Sequence, residues 1–285
     1  MASQSAETPP DKAAAAPPVP QGPASGPAAR RRQLDEVLFA TATGAPAVVL
    51  CGHAGKEGKR ARTDRASLGA TLCWLVDPAL NNLLARFERH GAVRRVEAFM
   101  AEGGALGATM AAGHVAGHAT YVDRVVARLP PEMASLWQER FGAGAAAAHR
   151  KYGNAAVGTP SAVKCLHALT AQALGGAPNP VGCAVARYIV WLASPAVRVV
   201  GPGALSADDG ATTAAAAADG DGPRVVAVDD LDAFFAWLLA TGDTAFTFGD
   251  GGATQAVPGV CEAAAAVLVA AEGHAPRPRK KHRVN

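Results

Sequence analysis

The chain has 285 residues, of which 68 are Ala, 31 Gly and 20 Pro, while aromatic residues make up 5% and charged residues 18%. No unbroken apolar run approaches the roughly 18 residues of a membrane span, glycine follows no collagen-like period, and five cysteines, an odd number, make no disulfide framework. The first residues, MASQSAETPP, have neither a basic start nor an apolar stretch, so no secretory signal is expected and the thiols are expected to be reduced.

Residues 1–33 contain almost no large apolar side chain. Such a segment buries too little surface to offset its ordering entropy, and it reads as a disordered Pro/Ala-rich arm. Order is expected from residues 34–39. The β-branched run at residues 47–51 reads as a strand.

From residue 64 to 194 the signals are helical. Asp77-Pro78 supplies an N-cap followed by proline at the first helical position. Leu80, Leu83, Leu84 and Phe87 follow the i, i+3, i+4, i+7 spacing up to Gly91. Val93, Val96, Phe99 and Met100 form the next stripe, stopped by Gly103-Gly104. A longer helix is expected over 106–129, and Pro130-Pro131 ends it and starts another through Phe141. Thr159-Pro160 and Asn179-Pro180 repeat the cap-plus-proline device. They predict one helix running to Gly175-Gly176 and a second burying Val181, Val185, Tyr188, Ile189 and Leu192. Residues 197–200 and 224–228 read as strands, and residues 230–240 and 260–271 as helices.

The expected fold is therefore mainly α: a multi-helix bundle core with a few short strands, a disordered N-terminal arm and a basic C-terminal tail. The expected division is an arm at 1–33, a helical core at 34–200 and an acidic low-complexity linker at 201–223. A small strand–helix segment at 224–273 and a basic disordered tail at 274–285 follow.

The net charge of +3 conceals an asymmetry. Asp208, Asp209, Asp219, Asp221, Asp229, Asp230 and Asp232 face only Arg224 within residues 207–232. Positive charge gathers at Arg30, Arg31 and Arg32; at Lys56, Lys59, Arg60, Arg62 and Arg65; and at Arg277, Arg279, Lys280, Lys281 and Arg283. Basic clusters on flexible segments suit a polyanion, because counterion release from phosphates drives binding without base readout. The last two clusters are the expected nucleic-acid-binding residues. The competing readings are nuclear targeting by the tail and a solvated face for the loop.

Motifs of chemistry are weak. The segment from Cys51 to Arg60 has glycines and a lysine, but Gly52 and Gly58 are one residue too far apart for a phosphate loop, and Arg60 replaces its Ser or Thr. Residues 225–230 could supply a matching acidic strand end, with Asp229 or Asp230 otherwise an ordinary helix cap. His114 and His118 share a helix face, and Cys51-x-His53 and Cys165-x-His167 could add metal ligands. The spacings are not those of familiar zinc sites, however, and Gly113 and Gly117 beside the histidines point to a close helix contact. The cysteines read as buried thiols. Trp74, Trp137, Trp191 and Trp237 read as helical core aromatics, since none is interleaved with the basic clusters as base stacking would require.

The arm MASQSAETPPDKAAAAPPVPQGPASGPAARRR, the Ala-rich body, the size and the basic balance resemble the proline-alanine-serine-rich proteins of polymycoviruses. The resemblance implies a protein that coats a viral double-stranded RNA genome without sequence specificity, and it assigns no individual residue. The expected function is RNA coating without catalysis, cofactor, metal or membrane partner. RNA is favoured over DNA, with self-association, in host cytoplasm or a virion-like particle. The alternatives are a degenerate nucleotide hydrolase using Lys59 and Asp229, and a nuclear regulatory or structural protein of a GC-rich DNA virus.

Overall fold

A computed structural model describes residues 36–51, 68–144, 151–201, 223–248 and 259–272. The expected arm, the basic loop, residues 202–222 of the acidic linker and the basic tail lie outside the described residues. Within Arg32–Asn285, one compact unit, the described chain is mainly α, with eight helices and five short strands.

Strands β1 (Glu36–Ala40), β2 (Pro46–Leu50) and β3 (Cys73–Leu75) form an antiparallel sheet in that order, with Val48 opposite Leu75 and Leu50 opposite Cys73. The β1–β2 turn closes through Gly44 at φ +81°, a conformation that favours glycine. Strand β3 departs from the helical expectation for residues 64–194. It is only three residues long, and pairing with the buried β2 holds it extended against any local preference.

Asp77 caps α1 (Pro78–Arg89) by accepting from the Leu80 N–H at 2.8 Å, and Leu80, Leu83, Leu84 and Phe87 are buried as their spacing requires. Gly91, at φ +90°, turns the chain into α2 (Ala92–Glu102), and α3 (Gly104–Arg124) and α4 (Pro131–Phe141) follow. Residues 160–163 are not helical, contrary to the Thr159-Pro160 reading: α5 (Leu166–Leu174) begins later, with Cys165 at its N-cap. The reason is competition for the backbone. The Pro160 and Ala162 carbonyls accept from His118 and His114, and the Val163 N–H donates to Glu97 at 2.9 Å. Asn179-Pro180 does start α6 (Pro180–Leu192), with the Asn179 side chain accepting from two amides.

Beyond α6, β4 (Val197–Val200) pairs in parallel with β5 (Arg224–Ala227), and α7 (Leu231–Thr241) and α8 (Val260–Glu272) complete the described fold. Phe87, Tyr188, Trp191, Phe234 and Trp237 form one aromatic cluster joining α1, α6 and α7. The C-terminal helices therefore share the core of the preceding ones.

Two buried aromatics carry polar ends to the backbone before β3. The Tyr121 hydroxyl accepts from the Leu72 N–H at 2.7 Å, and the Trp137 indole donates to the Ala70 carbonyl at 3.1 Å. Tyr121→Phe leaves the Leu72 amide buried without an acceptor and is expected to cost about 1–3 kcal/mol in urea unfolding.

Candidate functional site

The expected nucleic-acid residues, Lys56, Lys59, Arg60, Arg62, Arg65, Arg277, Arg279, Lys280, Lys281 and Arg283, all lie outside the described residues. The described residues carry twelve Lys and Arg against fourteen Asp and Glu, so the whole positive balance of the chain resides elsewhere. Asp230 is a helix cap, accepting from Asp232 and Ala233 at the start of α7, and Asp229 faces His90 at 3.7 Å. Trp74 lies on β3 rather than in a helix and is 36% exposed, whereas Trp137 and Trp237 are buried. No helix among the described residues is long and apolar enough to cross a membrane.

His114 and His118 belong to a buried polar network on α3. His114 donates through Nε2 to the Ala162 carbonyl at 3.1 Å, and its Nδ1 accepts from Asn179 Nδ2 at 3.1 Å. His118 donates through Nε2 to the Pro160 carbonyl at 2.9 Å. Gln172 donates to the Gly117 carbonyl and accepts from Asn154, which also donates to the Ala168 carbonyl. Gly113 and Gly117 admit this contact: a Cβ on Gly117 would stand 2.8 Å from Asn179 Nδ2. The network fastens residues 154–162, which lead into α5, onto α3, α5 and α6.

Burial holds both histidines below their ordinary 6.5 and outweighs their hydrogen bonds. Each stays neutral in the fold but takes up a proton on unfolding below that pH. Stability is therefore expected to fall as pH drops from 6.5 toward 5, above the range where carboxylates titrate. His167, charged in the fold, acts in the opposite sense mainly above pH 6.5, so urea midpoints at pH 6.5 and 5 check this, and an unchanged or higher midpoint at pH 5 would refute it.

At the start of α5 three reactive side chains converge. Cys165 occupies the N-cap position but makes no capping hydrogen bond. Glu88, from the last turn of α1, serves instead: its Oε1 accepts from the Leu166 N–H at 2.5 Å. The same oxygen lies 3.1 Å from His167 Nδ1, and His167 Nε2 lies 3.1 Å from the Asn81 carbonyl oxygen. Both ring nitrogens thus face acceptors, which calls for an imidazolium donating from each. Burial opposes that charge, but Cys165, Glu88 and the Asn81 carbonyl outweigh it and push the His167 pKa up to about 10. Burial would likewise raise the Glu88 carboxyl, but His167 and the Leu166 amide hold it below its ordinary value. The ligand atoms of Glu88, Cys165 and His167 all lie within 4.8 Å of one another.

This cluster opens on a pocket of about 320 Å³. Trp74, Leu75 and Ala168 give it apolar walls, and Lys164, Cys165 and His167 give it a polar end. Ala155, also on the wall, and Ala156 have φ values of +65° and +53°, where alanine is strained. The first-turn amides of α5 have no intrahelical acceptors. Leu166 uses Glu88, and those of His167 and Ala168 follow it at the positive end of the helix.

A family model described as a protein of unknown function, DUF501, matches residues 37–187, more than half of the chain. The chain belongs to the DUF501 family. No curated protein and no solved structure matches it. The DUF501 region runs from β1 into α6. It contains Glu88, Cys165, His167 and every residue of the pocket, and it ends before the basic tail.

The Cys165-x-His167 pair stands out little in the sequence, because its spacing matches no familiar site. Glu88 lies 77 positions upstream of Cys165, and only the packing of α1 on α5 joins them. No local signal marks the site: the sequence places the helix start at Thr159-Pro160, and the N-cap position of Cys165 emerges only in the fold.

Proposed function

We propose that the protein is an acyl-transfer or hydrolytic enzyme whose nucleophile is the Cys165 thiol, acting on a small substrate held in the pocket. The observation that carries this reading is selective exposure. All five cysteines are among the described residues, and Cys165 alone is not buried. Burial pushes the Cys73, Cys183 and Cys261 thiols up to about 12, which leaves them inert at neutral pH. Cys165 instead stands at a helix N-terminus beside an imidazolium, the setting in which thiols do chemistry.

In the reaction the Cys165 thiol first loses its proton to solvent, and the sulfur then attacks a carbonyl carbon. The carbonyl's π electrons move to oxygen, and the amides of His167 and Ala168 are the donors available to that oxyanion. The leaving group departs with a proton from His167, giving a thioester. Water, deprotonated by the now neutral His167, attacks the thioester and releases the carboxylic acid and the Cys165 thiolate, with His167 again an imidazolium. The Asn81 carbonyl holds the imidazole through Nε2 in both steps, and the proton that moves is the one Nδ1 shares with Glu88.

The test is intact-mass analysis of the folded protein treated with limiting iodoacetamide. One adduct is expected, on Cys165, formed at least about tenfold faster than on glutathione, and none on Cys165→Ser. With p-nitrophenyl acetate, a burst of about one equivalent of nitrophenol is expected from the native chain alone. Labelling no faster than glutathione, or spread over several cysteines, would sink this reading.

A second reading, RNA coating, is favoured by the distribution of charge. A described body with a slight acidic excess leaves phosphate neutralisation to the basic residues at 56–65 and 277–283. The resemblance to polymycovirus proline-alanine-serine-rich proteins supports double-stranded RNA as the polyanion. Affinity is expected to fall steeply between about 50 and 500 mM salt with little sequence preference, and neutralising Lys280 and Lys281 should weaken all sequences alike. Binding that is indifferent to salt would refute it.

A further inference from the structure

We infer that Glu88, Cys165 and His167 form a zinc site whose open coordination position faces the pocket. The inference concerns the same side chains as the nucleophile reading but does not depend on it. Three observations carry it.

The first is the donor set and its spacing. One carboxylate oxygen, one sulfur and one imidazole nitrogen lie within 4.8 Å of one another, and Glu88 Oε1 and His167 Nδ1 are 3.1 Å apart. With zinc bonds of roughly 2.0–2.3 Å, ligand atoms in a tetrahedral shell stand about 3.3–3.8 Å apart. The oxygen and nitrogen already have nearly that spacing, and the sulfur needs only a short approach.

The second is the orientation of His167. Its Nε2–H points at the Asn81 carbonyl oxygen, 3.1 Å away. A zinc-binding histidine is typically held this way, with the distal N–H fixed by a carbonyl and the other nitrogen presented to the metal. Without metal, a proton on Nδ1 bridges to Glu88. With metal, zinc takes the place of that proton, and Cys165 binds as the thiolate with its own proton released to solvent.

The third is that the sulfur turns to Glu88 and His167 rather than to the helix end. Glu88 both caps α5 and pairs with His167, and Cys165 at the N-cap makes no capping bond. A mixed sulfur, nitrogen and oxygen set suits zinc and excludes magnesium and calcium, which take oxygen ligands. Three protein ligands leave the fourth position for water or substrate. Cys165 and His167 line the pocket, which gives the ion both its entry path and that open side.

The test uses the full chain stripped of metal, titrated with zinc against a chromophoric chelator and separately with cobalt(II). One equivalent of zinc and a near-ultraviolet thiolate-to-cobalt charge-transfer band are expected. Cys165→Ser should abolish the band and weaken zinc by more than the roughly 10–100-fold that loss of an outer-shell partner costs. Serine is a good N-cap, so this variant keeps the helix start. Glu88→Gln retains an acceptor for the Leu166 amide and should weaken zinc while retaining the band; far-ultraviolet circular dichroism checks both folds. Zinc should also protect Cys165 from iodoacetamide. Absence of the band, or zinc binding unchanged in Cys165→Ser, would overturn the site. Rapid alkylation of Cys165 without a cobalt band would refute zinc alone. A cobalt band with slow alkylation of the metal-free thiol would refute the nucleophile alone.

Discussion

Asn179→Ala is expected to lower folding stability by about 3 kcal/mol, because this one side chain serves two structures at once. Its Oδ1 accepts from the Val181 and Gly182 amides at 3.1 and 3.3 Å and so caps α6. Its Nδ2 donates to His114 Nδ1 at 3.1 Å. Asn179 is 1% exposed and His114 equally buried, so water cannot replace the lost partner. Loss of the cap costs about 1 kcal/mol, and the stranded imidazole nitrogen roughly 1–3 kcal/mol more. Asn179→Asp separates the two parts. It retains the cap but turns an acceptor toward Nδ1, so His114 must carry a proton to bond with it. Its deficit should therefore shrink as pH falls toward 5.5, whereas that of the alanine variant should not. Urea unfolding of both variants at two pH values is the measurement, and a deficit below about 1 kcal/mol for alanine would mean that the network bears little load.

The elements legible in the sequence are those set by neighbouring residues. Asp77-Pro78 and Asn179-Pro180 start helices because cap and proline act within one turn, and the stripes after them are buried as spaced. Thr159-Pro160 has the same local form and starts none, because His114, His118 and Glu97, each more than 40 positions away, take up the backbone groups of the following residues. Strand β3 was hidden for a related reason: three residues carry no period, and only β2 makes them a strand. The histidine pair could be read, since Gly113 and Gly117 beside it already implied a close helix contact. The site could be read only by halves. Cys165 and His167 stand together in the sequence, but Glu88, which gives the imidazole its charge, comes from another helix. Nothing in composition distinguishes the one partly exposed thiol from the four buried ones.

One close contact that positions α5, and with it Cys165, is its crossing with α6 at Gly182, and Gly182→Ala is expected to cost about 3 kcal/mol or more. A Cβ there would stand 2.6 Å from the Leu169 carbonyl carbon, closer still to its oxygen, and 3.0 Å from the Ala173 Cβ. No flexible side chain lies in the way to absorb the clash. The α5 backbone itself must retreat, by roughly 1 Å to regain an ordinary van der Waals distance. Helix propensity alone favours alanine over glycine by about 1 kcal/mol, so a net loss isolates the packing term. Gly113→Ala is the control. Its Cβ would meet the Pro180 Cγ at 3.2 Å, a side-chain atom that needs to shift by only a few tenths of an ångström, and the variant should stay within about 1 kcal/mol of the native protein. Leu169 lies one helical turn beyond Cys165, so a displaced α5 moves the sulfur away from Glu88, which stays with α1. Gly182→Ala is therefore expected to change the rate of Cys165 alkylation even in the fraction that remains folded, while Gly113→Ala leaves it unchanged. An alkylation rate equal in all three proteins would show that the α5 start is held by Glu88 independently of the α5–α6 crossing.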